Sequence, residues 1–467
     1  MHERFVFRIR LGSPWPWGFV LTGFVLAGCS TYRAQPLSAA AVDAALQPAA
    51  LETVKIAAAK FQHPLIAPLT IDGRDGFTPD EIAVMTVITS PKLRALRDQL
   101  GVTQAQVVQA GLLPNPQFGY TLDRLDDGSV PDLVEGKSLG LSWELTSLLT
   151  RHDRVAAAKA TARSLDLSIA WQEWQAAQDS RLRAFRLLSL EQRLPLARDI
   201  EADLADTLAL TQRAVALGQR VAPDLRLAYD NWTQAQNNRF ALEQRIVAER
   251  AALNLALGQR ADLPLRLKPA AVMPPLPPST AEAARMLDGF EERRLDLVAL
   301  KLGYESQEAT LRAAVKAQFP KIGIDFGQAN DTSDVRTHSY GVTVDLPLFD
   351  RGQGQIAIDR ATRRQLFDEY VVRVAEARAE VAQLLSNLAI IRAQLRTVEE
   401  SLPALEQLVA AFEQALKTHN ADEFSYRETR GALAARRMER SQLQLDGFEL
   451  SVALEIAAGR PLLRPVP

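Results

Sequence analysis

One cysteine stands in the 467 residues, Cys29. It follows a basic front of Arg4, Arg8 and Arg10 and an apolar stretch from about Trp15 to Ala27, and Gly28 precedes it. Basic, then apolar, then small is the order of an export signal; the competing reading is a buried N-terminal helix with an incidental thiol. Elsewhere the reactive side chains are not arranged for catalysis, since the chain has no Gly-rich phosphate loop and no nucleophile elbow. His63, His152, His338 and His419 share no ligand spacing, so no metal site within one chain is expected. The pairs Glu291-Glu292 and Glu399-Glu400 sit in helical charge patterns, where adjacent residues point apart. The residues therefore predict a protein that is not an enzyme.

Leu26-Ala27-Gly28-Cys29 resembles the lipobox of bacterial lipoproteins. That resemblance implies cleavage after residue 28 and a thioether-linked lipid on Cys29, with no other cofactor. Ser30 in place of Asp is similar to lipoproteins released to the outer membrane. The mature chain then has neither free thiol nor disulfide. Composition is that of an ordinary folded chain, 47% hydrophobic and 24% charged. The balance of 54 Lys+Arg against 56 Asp+Glu offers no basic excess to neutralise phosphates, which sets nucleic-acid binding aside. No later segment has the 18 or more uninterrupted apolar residues of a membrane-spanning helix, so any second membrane contact must come from strands.

The chain is a tandem duplication. Gly140-Leu-Ser-Trp-Glu-Leu runs in register with Gly341-Val-Thr-Val-Asp-Leu, and Asn254-Leu-Ala-Leu-Gly258 with Glu455-Ile-Ala-Ala-Gly459, both 201 positions apart. The expected domains are a signal peptide at 1–28, a lipidated extended segment at 29–76, a first repeat at 77–258, a Pro-rich linker at 259–281, a second repeat at 282–460 and a tail at 461–467. Each repeat reads helix, strand, strand, very long helix, long helix. Thr78-Pro79-Asp80-Glu81 predicts an N-cap with Pro at the first helical position and Glu at the third.

The strands alternate. Phe118, Tyr120 and Leu122, then Leu139, Leu141 and Trp143, interleave with polar and glycine residues; Ile322, Ile324 and Phe326, then Tyr340, Val342 and Val344, do the same. Such strands suit a soluble sheet on a core or a membrane barrel. Aromatic residues on the apolar face, and long polar loops expected at 124–138 and 327–338, favour the barrel. From Asp153 to about Leu217 the chain has one proline and no glycine, which predicts a helix of roughly 100 Å. Val374, Ala377, Val381, Leu384, Leu388, Ile391, Leu395, Val398, Leu402 and Leu405 step by three and four, the period of a coiled coil. Pro195 and Pro403 are expected to kink these helices rather than end them.

Four strands cannot close a barrel, and an open edge in lipid leaves backbone groups unsatisfied. Two chains would give eight strands, filled by side chains; three give twelve, with room for a lumen. The predicted fold is therefore mainly α with a membrane β-barrel: a duplicated helix-strand-strand-helix-helix unit, assembled as a homotrimer with a 12-strand barrel and a 12-helix coiled-coil tunnel.

Leu112-Leu-Pro-Asn-Pro-Gln-Phe118, Phe319-Pro320, and Asp345-Leu-Pro-Leu-Phe-Asp-Arg-Gly352 resemble the TolC family of outer-membrane efflux proteins, over roughly residues 77 to 460. Arg294-Leu295-Asp296-Leu297 resembles the family's Arg-Pro-Asp-Leu run, with Leu295 departing from the proline. Within the family, the short loops and Trp143-Glu144-Leu145 look closer to the CzcC-like ducts of metal-cation efflux than to the large drug channels. The resemblance implies a passive exit duct for small solutes, metal cations or drugs, working with a periplasmic adaptor (membrane fusion protein) and an inner-membrane pump of RND type. It also implies polar or acidic residues closing the tunnel at the inner hairpin tips. Asp224 at the first tip, Asp422 and Glu423 at the second, and Arg427 as an ion-pair partner are the gate candidates. The family's usual acidic position falls on Asp224 in the first copy and on Ser425 in the second, and Asp422 equally suits a helix N-cap. Two other readings stay open: a periplasmic coiled-coil adaptor or scaffold lipoprotein, and a duct for type I protein secretion.

Overall fold

The computed structural model describes residues 31–124, 134–268 and 289–460. Residues 1–47 and 48–467 form two separate compact units. In the described part of the first, helix α1 (Ala39–Ala45) is capped by Ser38, whose Oγ accepts the Ala41 N–H at 3.2 Å, and it buries no residue.

The second unit contains α2 (Leu51–Ala59), α3 (Pro79–Thr89), α4 (Pro91–Gly111), β1 (Gln117–Asp123), β2 (Gly136–Glu144), α5 (Ser147–Ala216) and α6 (Ala222–Ala256). The second repeat follows as α7 (Phe290–Arg293), α8 (Leu295–Lys316), β3 (Lys321–Asn330), β4 (Arg336–Asp345), α9 (Gln353–Lys417) and α10 (Glu423–Ala458). Helix α3 starts where the sequence places it. Glu81 N–H donates to Thr78 Oγ1 at 3.2 Å, and Thr78 N–H donates back to the Glu81 carboxylate at 2.7 Å. The opening helix is two helices rather than one, because Ser90, at ψ 120 before Pro91, leaves the helical region.

At 70 residues, α5 spans about 105 Å at ~1.5 Å per residue. It passes through Pro195, as the 65-residue α9 passes through Pro403. On α9 the buried residues include Ala377, Val381, Leu388, Val398 and Leu402, all members of the expected seam. Val381, Leu388, Val398 and Leu402 meet α10, where Leu433 and Leu454 are buried, and Ala377 packs with Phe290 and Leu297. The largest apolar cluster gathers Ala184, Leu187, Leu188 and Leu190 of α5 with Ile82 and Met85 of α3, Leu253 of α6, and Val54 and Ala58 of α2. Phe185 and Phe448 join α5 to α10 with ring centroids 4.1 Å apart.

The four strands form one antiparallel sheet in the order β1-β2-β3-β4, in which, among the described residues, one side of β1 and one side of β4 are unpaired. Its register lines up Phe118, Leu141, Phe326 and Tyr340 as one cross-strand row. The Phe326 and Tyr340 rings meet edge-to-face at 6.0 Å on this apolar face. The opposite face carries the row Gly119, Gly140, Gly327 and Ser339. The expected loop at 327–338 is corrected: β3 runs to Asn330 and β4 starts at Arg336, joined by a tight turn. Asp331 builds the turn by accepting the N–H groups of Ser333 and Val335 at 2.8 and 3.0 Å. The expected loop at 124–138 is shortened too, since β2 begins at Gly136, while 125–133 lie outside the described residues.

Helix contacts give two side-by-side series, α4-α5-α8-α9 and α6-α5-α10-α9. Among the described residues, α4 and α6 each end one series and α9 ends both on the other side, giving the helices flanks without a further close neighbour. No helix among the described residues is long and apolar enough to cross a membrane.

Candidate functional site at the hairpin turns

Each repeat ends its long helix in the same way. After α5, Gly218 takes φ 71 and the Gln219 N–H returns to the Ala214 carbonyl at 2.8 Å. After α9, His419 takes φ 58 and Asn420 N–H returns to Ala415 at 2.8 Å. Gly218 and His419 are 201 positions apart, so the histidine occupies a left-handed turn position where the first repeat uses glycine.

Beyond the turns the repeats diverge. Asp422 caps α10: its carboxylate accepts the Ser425 N–H at 3.0 Å and the Ser425 hydroxyl at 2.5 Å. Those hydrogen bonds hold its pKa below the usual carboxylate range. Val221, its counterpart 201 positions earlier, makes no side-chain cap. Asp224 lies in the first turn of α6, half-exposed, 3.9 Å from the Arg220 guanidinium. Arg220 in turn stacks over the Phe424 ring at 4.4 Å, tying the two turns together.

Arg427 is the centre of the cluster. Its Nη2 donates to Glu423 Oε1 at 2.7 Å and its Nη1 to Asp206 Oδ2 at 2.9 Å; the same Nη1 lies 3.6 Å from Asp203 Oδ1. Arg430 adds a contact from Nε to Asp203 Oδ2 at 3.1 Å. Burial opposes the charge on Arg427, but Glu423 and Asp206 outweigh it and raise its pKa. Asp203 is buried between α5 and α10, and burial pushes its pKa up against the pull of the two arginines.

The structure therefore brings Glu423 and Arg427 together, gives Asp422 a capping role, and places Asp224 beside Arg220. Asp203 and Asp206 were not singled out by sequence reasoning. Their spacing of three puts both on one side of α5, but only the packing of α10 against α5 reveals their partners. Leu26, Ala27, Gly28 and Cys29 lie outside the described residues. Trp143 has a local role, its indole N–H donating to the Pro114 carbonyl at 2.8 Å, which fixes the approach to β1.

Residues 287–460 match the model of the outer membrane efflux protein family. No curated protein sequence matches the chain. Among solved structures, the outer membrane protein VceC of Vibrio cholerae aligns with TM-score 0.64 at 16% identity, over 82% of this chain and 96% of its own. The open state of the MtrE outer membrane channel of Neisseria gonorrhoeae gives 0.64 at 16%, over 86% and 93%. The channel-forming protein CusC gives 0.64 at 16%, over 86% and 99%. Residues 287–460 are thus similar to an outer membrane efflux protein domain, and the chain as a whole has the fold of these channel structures.

Proposed function

We propose that the chain is the passive outer-membrane exit duct of a tripartite efflux pump. The observation that carries this is the sheet. Phe118 is 71%, Tyr340 81% and Val342 69% exposed on one apolar face, and the strands at both ends lack a neighbour. An apolar face needs lipid or a partner, and free edges need pairing. Three copies, joined β4 to β1, satisfy both demands as a 12-strand barrel. The free flanks of α4, α6 and α9 then join neighbouring copies into a 12-helix tunnel. Exposed Ile358, Phe367, Val371 and Val372 on α9 supply apolar surface for that contact.

In this reading Cys29 carries the lipid anchor, a periplasmic adaptor and an RND-type inner-membrane pump complete the assembly, and small solutes such as metal cations or drugs pass through. The ion cluster of Arg427 and Arg430 with Asp203, Asp206 and Glu423 holds the second hairpin on the first at the periplasmic mouth, with Asp224 and Asp422 beside it. Expelling solute through such a tube needs no bond-making step in this chain. A scaffold lipoprotein would cover the apolar sheet face with its own core, and the described residues leave that face open.

The orientation is tested at the β3–β4 turn. Ser333→Cys, in a mature chain with Cys29 acylated, is expected to react with a membrane-impermeant maleimide on intact cells. Reaction only after outer-membrane permeabilisation would place the turn in the periplasm and overturn the duct in favour of the scaffold.

A further inference from the structure

The exposed apolar face of the sheet changes character along the strands. Nearest the helices the rows are Ile322 with Val344, then Trp143 with Ile324 and Val342, then Phe118 with Leu141, Phe326 and Tyr340. The next row is Tyr120, Leu139, Gln328 and His338, and the last is Leu122, Lys137, Asn330 and Arg336. The face thus begins aliphatic, becomes aromatic and ends basic at the turn end.

Both cations of the last row are exposed, and neither Lys137 nor Arg336 has a hydrogen bond or ion pair among the described residues. Among the described residues, three acidic groups nearby are already engaged, and Asp123 belongs to the opposite face, in the row of Gly136. Glu135 pairs with Arg124 at 3.3 Å, Asp331 accepts two turn N–H groups, and Asp334 accepts the Asn330 amide at 2.8 Å. Lys137 and Arg336 lie on strands either side of β3, about 10 Å apart at the backbone for two strand spacings of ~4.8 Å. Two long side chains reach across that gap to a single phosphate.

The height is right for one. Arg336 stands ten residues from exposed Leu346 on the same alternating set. That is about 26 Å along the membrane normal at ~3.4 Å per residue and ~40° tilt. A barrel's apolar band is about 25 Å tall, so the row falls at the boundary between hydrocarbon and headgroups.

We infer that Lys137 and Arg336 form a site for the phosphate of an anionic lipid in the outer leaflet. Arg336 supplies a fork matched to phosphate oxygens, Lys137 a point charge, and His338 a further polar group one row below. Binding there tethers the barrel at a fixed height without any contact to the lumen. The inference rests on the proposed barrel and its orientation.

The test uses the full-length acylated protein in detergent, with lipid retention read by native mass spectrometry. Phosphatidic acid is expected to be retained over phosphatidylcholine, and the double variant Lys137→Gln/Arg336→Gln to lose that preference by about tenfold or more, as when two charged contacts are removed. Inorganic phosphate at millimolar concentration is expected not to displace the lipid. Equal retention by the variant overturns the site; displacement by inorganic phosphate overturns the lipid as its occupant. A heat-stable assembled form of the variant shows that the barrel is intact. Labelled Ser333→Cys with unchanged lipid retention defeats this inference alone, whereas unlabelled Ser333→Cys defeats the barrel orientation and this inference with it.

Discussion

In the proposed duct, removing the Arg427 side chain is expected to loosen the periplasmic mouth, by an amount that follows from its contacts. Its contacts with Asp206 and Glu423, whose side chains are 62% and 46% exposed, are worth ~0.2–1 kcal/mol each. The contact with Asp203 weighs more, because that side chain is only 10% exposed. A fully buried charge stranded by loss of its partner costs about 3–5 kcal/mol, and Arg430 remains to offset roughly half of that. Arg427→Ala should therefore favour the undocked tip by about 2–3 kcal/mol, or about 30- to 150-fold in the closed-to-open ratio. Acidification supplies the check. Burial raises the pKa of Asp203, so its contribution to stability is complete below the ordinary carboxylate value and is lost as pH rises through the raised one. At neutral pH its charge depends on Arg427 and Arg430; once protonated it needs neither, with Asp199 and Asp206 the remaining carboxylates around it. In planar bilayers, Arg427→Ala is expected to raise conductance most at neutral pH and progressively less on acidification. The double variant with Asp203→Asn should show coupling of about 1 kcal/mol. Wild-type conductance in Arg427→Ala, or an excess that grows as pH falls, refutes the reasoning.

Two glycines 40 residues apart make a graded stability comparison. Gly258 takes φ 70, and a Cβ there would lie 2.5 Å from the Pro91 ring, so Gly258→Ala combines backbone strain of ~1–2 kcal/mol with overpacking of about 1–3 kcal/mol. Gly218 takes φ 71 in open space, so Gly218→Ala should cost only the ~1–2 kcal/mol backbone term; thermal unfolding in detergent ranks the two, and equal costs count against the Pro91 contact. Replacing Cys29 by Ala is expected to abolish incorporation of radiolabelled palmitate, with retained label locating the acyl chain elsewhere.

Much of the architecture was legible because it is periodic. The 3.5-residue seam on α9, the alternation of the strands and the Thr78 capping box each depend on residues near one another in sequence, and each is found in the structure. What escaped notice depends on tertiary partners. Gly327-Gln-Ala-Asn330 and Arg336-Thr-His-Ser339 carry no apolar alternation and read as loop, yet they pair as strand, because the ladder of β2 and β3 satisfies their backbone groups whatever the side chains. Helix α2 is short and alanine-rich; it gains its place from Val54 and Ala58 in the cluster around α5 rather than from a long pattern. In the sequence nothing separates Asp203 from the other acids of a charged helix; the arginines of α10 distinguish it.

The duplication explains why the ion cluster lies between the two hairpins of one chain. Positions 201 beyond Asp203 and Asp206 are Ala404 and Gln407, and Arg226, the counterpart of Arg427, points to Asp230 of its own helix at 3.7 Å. Helix α10 therefore brings cations to carboxylates on α5, whereas α6, on the free flank, finds no matching carboxylates at the equivalent place on α9. The strong ionic contacts of this cluster run within the chain. In the proposed trimer, opening at the mouth means separating the two hairpins inside each chain, and the ion cluster opposes that motion while Asp203 remains ionised.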